Sequence, residues 1–177
     1  MKKIMMTLVA VAMATTMNAQ YYIGGGIGYS HLKVDGEKTN TFKILPEVGY
    51  NIDDTWTVGA QVGYTYSKND GVKTTGFTIA PYLRNTFVKW EKVNVFCDLG
   101  LEYDYTKTGS VKTNTYGVGL FPGLAVNLND KLSFVTKVGA LSYAHAKAKS
   151  GGYSAKADEF NIGLDGSSLS FAVYYNF

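Results

Sequence analysis

From residue 21 to the end, large apolar side chains alternate with small or polar ones, one residue at a time. The clearest run is residues 55–67, where Trp56, Val58, Ala60, Val62, Tyr64 and Tyr66 interleave with Thr57, Gly59, Gln61, Gly63 and Thr65. A period of two is the signature of a strand with one apolar face. The same alternation predicts strands over about residues 21–32, 41–50, 75–87, 93–105, 115–126 and 131–143, and a last one from near Phe160 to Phe177. In the last strand Leu169, Phe171, Val173, Tyr175 and Phe177 form the large face, opposite Ser168, Ser170, Ala172, Tyr174 and Asn176.

These segments make eight strands with no helical pattern and no second domain between them. The connections alternate in length: short at 51–54, 88–92 and 127–130, long at 33–40, 68–74, 106–114 and 145–156. An even count with short turns at one end and long loops at the other is the pattern of a closed antiparallel up-and-down membrane barrel. The alternation blurs after Gly139, and Phe160, Ile162 and Leu164 are out of phase with Phe171. A bulge is therefore expected after Gly139 and another near Asp165–Gly166.

A soluble barrel would also alternate, with its apolar face inward. The inner parity decides between them. Glu47, Arg84, Asp98, Glu102 and Lys137 share the face of the glycines, whereas Trp56, Val62, Leu99, Leu101 and Leu120 share the other. Only lipid accounts for an outer wall of that second kind. Aromatic residues also gather at both strand ends: Tyr21, Tyr50, Trp56, Phe87, Trp90, Tyr175 and Phe177 at one, and Phe42, Tyr64, Tyr66, Phe77, Tyr103, Tyr105 and Tyr116 at the other. Two belts are what rings at headgroup level produce. The fold expected is all-β, an eight-stranded antiparallel transmembrane β-barrel.

Composition narrows the setting. Residues 1–19 read as a secretory signal peptide: Lys2 and Lys3, an apolar stretch from Ile4 to Ala14, then small residues to Ala19. The barrel domain is then 20–177. The net charge of +3 falls to +1 without Lys2 and Lys3, which leaves no global bias toward nucleic acid. The one cysteine, Cys97, lies mid-strand among apolar residues and reads as a small hydrophobe. The GGGIG run at residues 24–28 lacks the Lys-Ser/Thr pair and the helix of a phosphate loop, so it reads as small inward residues of a narrow barrel.

Candidate chemistry concentrates in the lumen. Folding the hairpins on their short turns places Arg84 opposite Asp98, Lys137 beside Phe121 and Glu47 beside Gly59. Glu47, Arg84, Asp98 and Lys137 are thus expected to form one belt of alternating charge, because isolated charges in a narrow interior are costly. The lumen of eight strands is just wide enough for side chains to fill, so the belt reads as a plug. No catalytic residue, metal ligand set or cofactor site is expected: the carboxylates have cationic neighbours, and Ser30 points away from His31. Lys33, Lys38, Lys68, Lys73, Lys107, Lys112, Lys147, Lys149 and Lys156 fall in the expected long loops. Together they form a basic rim suited to lipopolysaccharide phosphates.

FKILPEVGY (residues 42–50), WTVGAQVGYTY (56–66), FTIAPYLR (77–84) and the terminal LSFAVYYNF (169–177), with the signal peptide, carry a resemblance. The mature chain resembles the small outer-membrane β-barrel proteins of Gram-negative bacteria, the OmpA/OmpX-like, porin-family group. The resemblance implies eight strands, outer-membrane residence, and a role in envelope integrity, adhesion or surface interaction, with no shared catalytic residues. It also implies that Leu169, Phe171, Val173, Tyr175 and Phe177 act as the signal read by the barrel-assembly machinery. The expected partners are that machinery and outer-membrane lipid with its lipopolysaccharide, the expected state a monomer. The alternative is a porin-like barrel passing small solutes or an apolar ligand; Phe96, Phe121 and the charge belt, all inward, argue against it.

Overall fold

The structure is a computed structural model that describes residues 20–34, 37–69, 72–138, 140–151, 153–163 and 169–177. Its strand segments are β1 (Tyr21–Val34), β2 (Glu37–Asn51), β3 (Trp56–Asn69), β4 (Val72–Lys89), β5 (Val93–Thr108), β6 (Val111–Asn127), β7 (Leu132–Val138), β8 (Ala140–Ser150), β9 (Tyr153–Gly163) and β10 (Leu169–Asn176). The described pairings are antiparallel. Each of β1 to β5 pairs with the next strand, and β6 pairs with both β7 and β8, the two halves of a seventh stave. β9 pairs with β8 and β10 with β7, and β10 closes on β1. The result is the closed eight-stranded antiparallel barrel that the alternation predicts.

The outer wall is apolar over its middle. Ile23, Phe42, Val48, Val58, Val62, Ile79, Leu99, Leu101, Val118, Leu120, Phe171 and Val173 are all exposed. Inward positions hold the buried set: Tyr22, Tyr82, Phe96, Val135 and Tyr174, with Glu47, Thr57, Arg84, Asp98 and Ser133. This inversion, charge inside and hydrocarbon outside, is stable only against lipid.

Among the described residues, the expected long loops are strand apart from the turn positions 109–110 and 151. β1 to β6 run 14, 15, 14, 18, 16 and 17 residues, beyond the roughly 9–11 that a span requires. β5 and β6 pair up to Thr108↔Val111, and β8 and β9 up to Ser150↔Tyr153. Gly109 (φ 57°) and Gly151 (φ 53°) occupy the left-handed region that such two-residue hairpin turns require. Period-two alternation in these stretches runs through Thr, Lys, Ala and Tyr rather than through large apolar residues. That contrast hid the strands from a reading keyed to hydrophobicity.

Two short turns differ from the expected count. Asn51 pairs with Thr57 and Asn127 with Ser133, so five residues lie between each pair. In one, Asp53 Oδ1 accepts the N–H groups of Thr55 (2.7 Å) and Trp56 (2.8 Å). In the other, Asn129 Oδ1 accepts those of Lys131 and Leu132, both at 2.9 Å. Thr57 and Ser133 then donate to Asn51 (2.7 Å) and Asn127 (2.9 Å). NIDDTWT (51–57) and NLNDKLS (127–133) are therefore the same Asx-capped turn used twice. Pairing Glu47 with Gly59 and Lys137 with Phe121 would leave three residues in each turn; the two further residues move each register by two, so Glu47 pairs with Gln61 and Lys137 with Gly123.

The first expected phase break lies near its expected place. β6 pairs Gly123 with Lys137 but Leu120 with Leu141, one residue more on the second strand, so the register shifts by one between Lys137 and Leu141. An additional irregularity falls between Thr86 and Val88. Asp165–Gly166, and the expected signal peptide at 1–19, lie outside the described residues.

Candidate functional site

The inward side chains of β2, β4, β5 and β7 meet at one level of the lumen. Asp98, 1% exposed, accepts Arg84 Nε–H at 2.7 Å and Nη2–H at 3.0 Å, the bidentate arrangement that suits a guanidinium. Lys137 Nζ sits 3.0 Å from Oδ2, the oxygen that also accepts Arg84 Nη2–H. Glu47, also 1% exposed, lies 3.7 Å from Arg84 Nη2. Two carboxylates and two cations thus form a neutral quartet, and all four belt residues meet in one cluster.

Aromatic groups complete it. Glu47 Oε1 accepts hydroxyl hydrogen bonds from Tyr174 (2.6 Å) and Tyr82, while Tyr22, 3.5 Å from the same oxygen, has one proton and shares it between that carboxylate and Tyr82 Oη. Gln61 Nε2 donates to Oε2 at 3.3 Å. The Arg84 guanidinium lies 3.8 Å from the centre of the Phe96 ring, a cation–π contact. Tyr22 stacks on Tyr174 with centroids 4.7 Å apart. Buried carboxylates are tolerated only when their lone pairs are satisfied; here hydroxyls, an amide and two cations do so.

The tyrosines are the part that sequence reading missed. Their parity marks them as inward, but a Tyr on a strand is as readily a belt residue. The usable signal is the glycine set: a Cβ on Gly49 would run into the Tyr22 ring, one on Gly59 into Tyr82, and one on Gly123 into Phe96. Each of these three inward glycines marks where a neighbouring ring lies against the wall.

Beside the quartet, an enclosed space of about 30 Å³ touches Glu47, Gln61, Lys137 and Tyr174. That is far below the roughly 300 Å³ at which ligand pockets begin. A shallow hollow of about 530 Å³ by Asn129, Lys131 and Tyr175 lies on the outside, at the turn end. Above the plug the lumen is polar: Thr78 donates to Asp104, and Thr41 and Ser67 bond at 2.9 Å.

The remaining predicted residues lie on the wall. Phe171, Val173 and Tyr175 are exposed on the outer face of β10, with Phe134 stacked on Phe171 at 5.7 Å and Tyr175 edge-on to Phe177 at 5.2 Å. Phe177 N–H donates to Tyr21 O at 3.1 Å, and the backbone of Leu169 pairs with Val138. Lys68, Lys73, Lys107, Lys112, Lys147, Lys149 and Lys156 lie on strands, not loops; Lys33 and Lys38 pair through their backbones. His145 Nδ1 lies 2.8 Å from Asp158 Oδ1, which also accepts Tyr143 Oη–H at 2.7 Å, a contact that sequence reading did not foresee. Half-buried Cys97 shares the outward parity of Leu99.

A closed antiparallel barrel with an apolar outer wall, two aromatic belts and a charged, filled lumen defines the class: an integral outer-membrane β-barrel. Comparison with known proteins agrees. The chain belongs to the outer membrane protein beta-barrel domain family, whose model matches residues 4–177. Its structure is similar to that of Neisserial surface protein A (TM-score 0.52, 14% identity, 89% of this chain and 97% of that one). It is also similar to the outer membrane protein OprG from Pseudomonas aeruginosa (TM-score 0.54, 15% identity, 89% of this chain and 95% of that one). At these identities the likeness is one of fold. A search of curated proteins finds no significant match. The protein resides in the outer membrane of a Gram-negative bacterium.

Proposed function

We propose that this outer-membrane barrel has a structural and surface-interaction role in the envelope rather than a transport role. The observation that carries the reading is the plug. Glu47, Arg84, Asp98 and Lys137, with Tyr22, Tyr82, Phe96 and Tyr174, fill the cross-section, and the associated free space is about 30 Å³. A hydrated solute has no path of its own size through it. The reading is also non-enzymatic. The His145–Asp158 pair stands on the open wall, and its third contact, Tyr143, donates to the carboxylate rather than presenting a nucleophile to the imidazole. Leu169, Phe171, Val173, Tyr175 and Phe177 serve in this reading as the segment that the assembly machinery recognises, the barrel itself being monomeric.

The test is single-channel recording of the folded protein in planar bilayers. A closed lumen gives no sustained conductance. Stable, large openings from the monomer would refute the plug and favour the transport alternative.

A further inference from the structure

The outer face beyond the upper aromatic belt carries lysines in opposed pairs. Lys68 faces Lys73 across β3–β4, Lys107 faces Lys112 across β5–β6, and Lys147 faces Lys156 across β8–β9. Lys112 also has Lys149 beside it in β8. The backbone register sets Lys33 opposite Lys38 at the top of β1–β2. Each described lysine has the parity of its strand's lipid-facing residues: Lys68 that of Tyr64, Lys73 of Phe77, Lys112 of Tyr116, Lys147 of Tyr143 and Lys156 of Phe160.

Directly opposed like charges destabilise a sheet, yet the arrangement recurs on the β3–β4, β5–β6 and β8–β9 hairpins. Among the described residues, no ion pair engages these lysines. Asp158, a carboxylate on the outward parity of β9, lies in the field of Lys156 but is bonded to His145 and Tyr143. A wall that keeps paired cations and few anions is complementary to an external anion that bridges two ammonium groups. Opposed Cβ atoms are about 4.5–5.5 Å apart. A phosphate monoester, with three acceptor oxygens and a charge of about −1.5 to −2, matches that span.

The height supplies the second argument. Lys107 stands two residues beyond Tyr105 and Lys112 four beyond Tyr116. At about 3.3 Å per residue these steps are roughly 7 and 13 Å along the strand, and less in height once the strands tilt. Since belt aromatics sit at headgroup level, the lysines stand on the headgroup side of the belt, where a flexible side chain can reach headgroup phosphates.

We propose that the opposed lysines are phosphate clamps for lipopolysaccharide of the outer leaflet, with Lys107, Lys112, Lys147, Lys149 and Lys156 forming the principal site. This deepens the surface-interaction part of the function above and rests on it.

The test uses the full folded chain in detergent, titrated with bis-phosphorylated lipid A, the same lipid stripped of phosphate, and inorganic phosphate. The K107Q/K112Q/K147Q/K149Q/K156Q variant binds the phosphorylated lipid about ten-fold or more weakly, and the corresponding Lys→Arg variant retains binding. A K89Q/K92Q/K131Q variant at the opposite end binds as the parent does. Wild-type binding falls steeply with salt. Removing opposed charges relieves repulsion, so the five-fold variant is expected to fold, with heat-modifiable gel migration as the check. The salt and phosphate-removal arms need no variant. Equal binding by the five-fold variant, or equal binding of the phosphate-free lipid, overturns the proposal. Displacement of the lipid by millimolar inorganic phosphate assigns the clamps to free phosphate and overturns it as well. A conducting barrel that still discriminates the lipids sinks only the plug.

Discussion

Asp98→Asn is the sharpest probe of the plug, because one carboxylate serves two cations. Asp98 takes both Arg84 hydrogen bonds and lies 3.0 Å from Lys137 Nζ. Asparagine keeps the shape and removes the charge, leaving Arg84 with Glu47, at 3.7 Å, as its one anionic neighbour among the described ion pairs and Lys137 with none. A close pair of unit charges is worth about 4 kcal/mol at an effective dielectric near 20. The restored desolvation of the carboxylate offsets part of two such terms, and the Lys137 term shrinks further because that side chain is 21% exposed. The net expectation is a loss of about 3–5 kcal/mol, the range found when one member of a buried pair is removed. Lys137→Met alone costs about 1 kcal/mol, and the double variant is less destabilised than the sum by about 1–2 kcal/mol, since neutrality returns. Urea unfolding in lipid vesicles, followed by Trp56 and Trp90 fluorescence and by gel migration, measures all four corners of the cycle. Asp98→Asn within about 1 kcal/mol of the parent, or strict additivity, would refute the reasoning.

Further predictions address packing, the turns and the last strand. Gly49→Ala drives a methyl into the Tyr22 ring and is expected to cost about 1–3 kcal/mol. Gly28→Ala, whose new methyl meets only Lys43 Cβ at 3.6 Å, is close to neutral in the same unfolding assay. Backbone N–H groups of Thr55 and Trp56 hold the Asp53 carboxyl below the usual range. Its contribution is therefore complete above the ordinary carboxylate pKa and lost as pH falls through the lowered one. Asp53→Asn, which copies Asn129 in the twin turn, should flatten that acid-side loss in amide exchange at Thr55 and Trp56; an unchanged pH profile would count against the cap. Deleting Phe177 removes its bond to Tyr21 O and its ring contact with Tyr175, and membrane assembly in cells should suffer more than after any substitution at the hairpin tips. Normal assembly of the truncated chain would dismiss the terminal segment as a signal.

Alternation carried the fold because a membrane barrel must show lipid every second residue, and Trp56 to Tyr66 does so without a break. It also brought Arg84 to Asp98, since the β4–β5 turn and the irregularity at Thr86/Val88 leave that pairing where simple folding puts it. Glu47 and Lys137 were misplaced by two residues because an Asx cap draws two more residues into the turn than simple folding allows. Extended pairing at the upper end escaped notice for a different reason: Thr106, Lys107, Ala146 and Ala148 alternate in direction but not in hydrophobicity. The tyrosine shell around Glu47 depends on cross-barrel proximity, for which no local pattern exists.

Closure gives the plug one more consequence. The described pairing of β1 with β10 covers four residue pairs, Tyr22↔Asn176 to Gly25↔Val173, a thin seam for a sheet of this height. Yet Tyr22 from one edge and Tyr174 from the other both reach Glu47, which belongs to neither. A slip of one residue at the seam would turn Tyr174 toward lipid. A slip of two would carry it about 7 Å along the barrel. In either case Glu47 would lose its shortest tyrosine contact among those with a normal length, and Arg84 its neighbour at 3.4 Å. The charges inside thus proofread the alignment of the two edges, and a misaligned cylinder would betray itself by a buried, under-bonded acid.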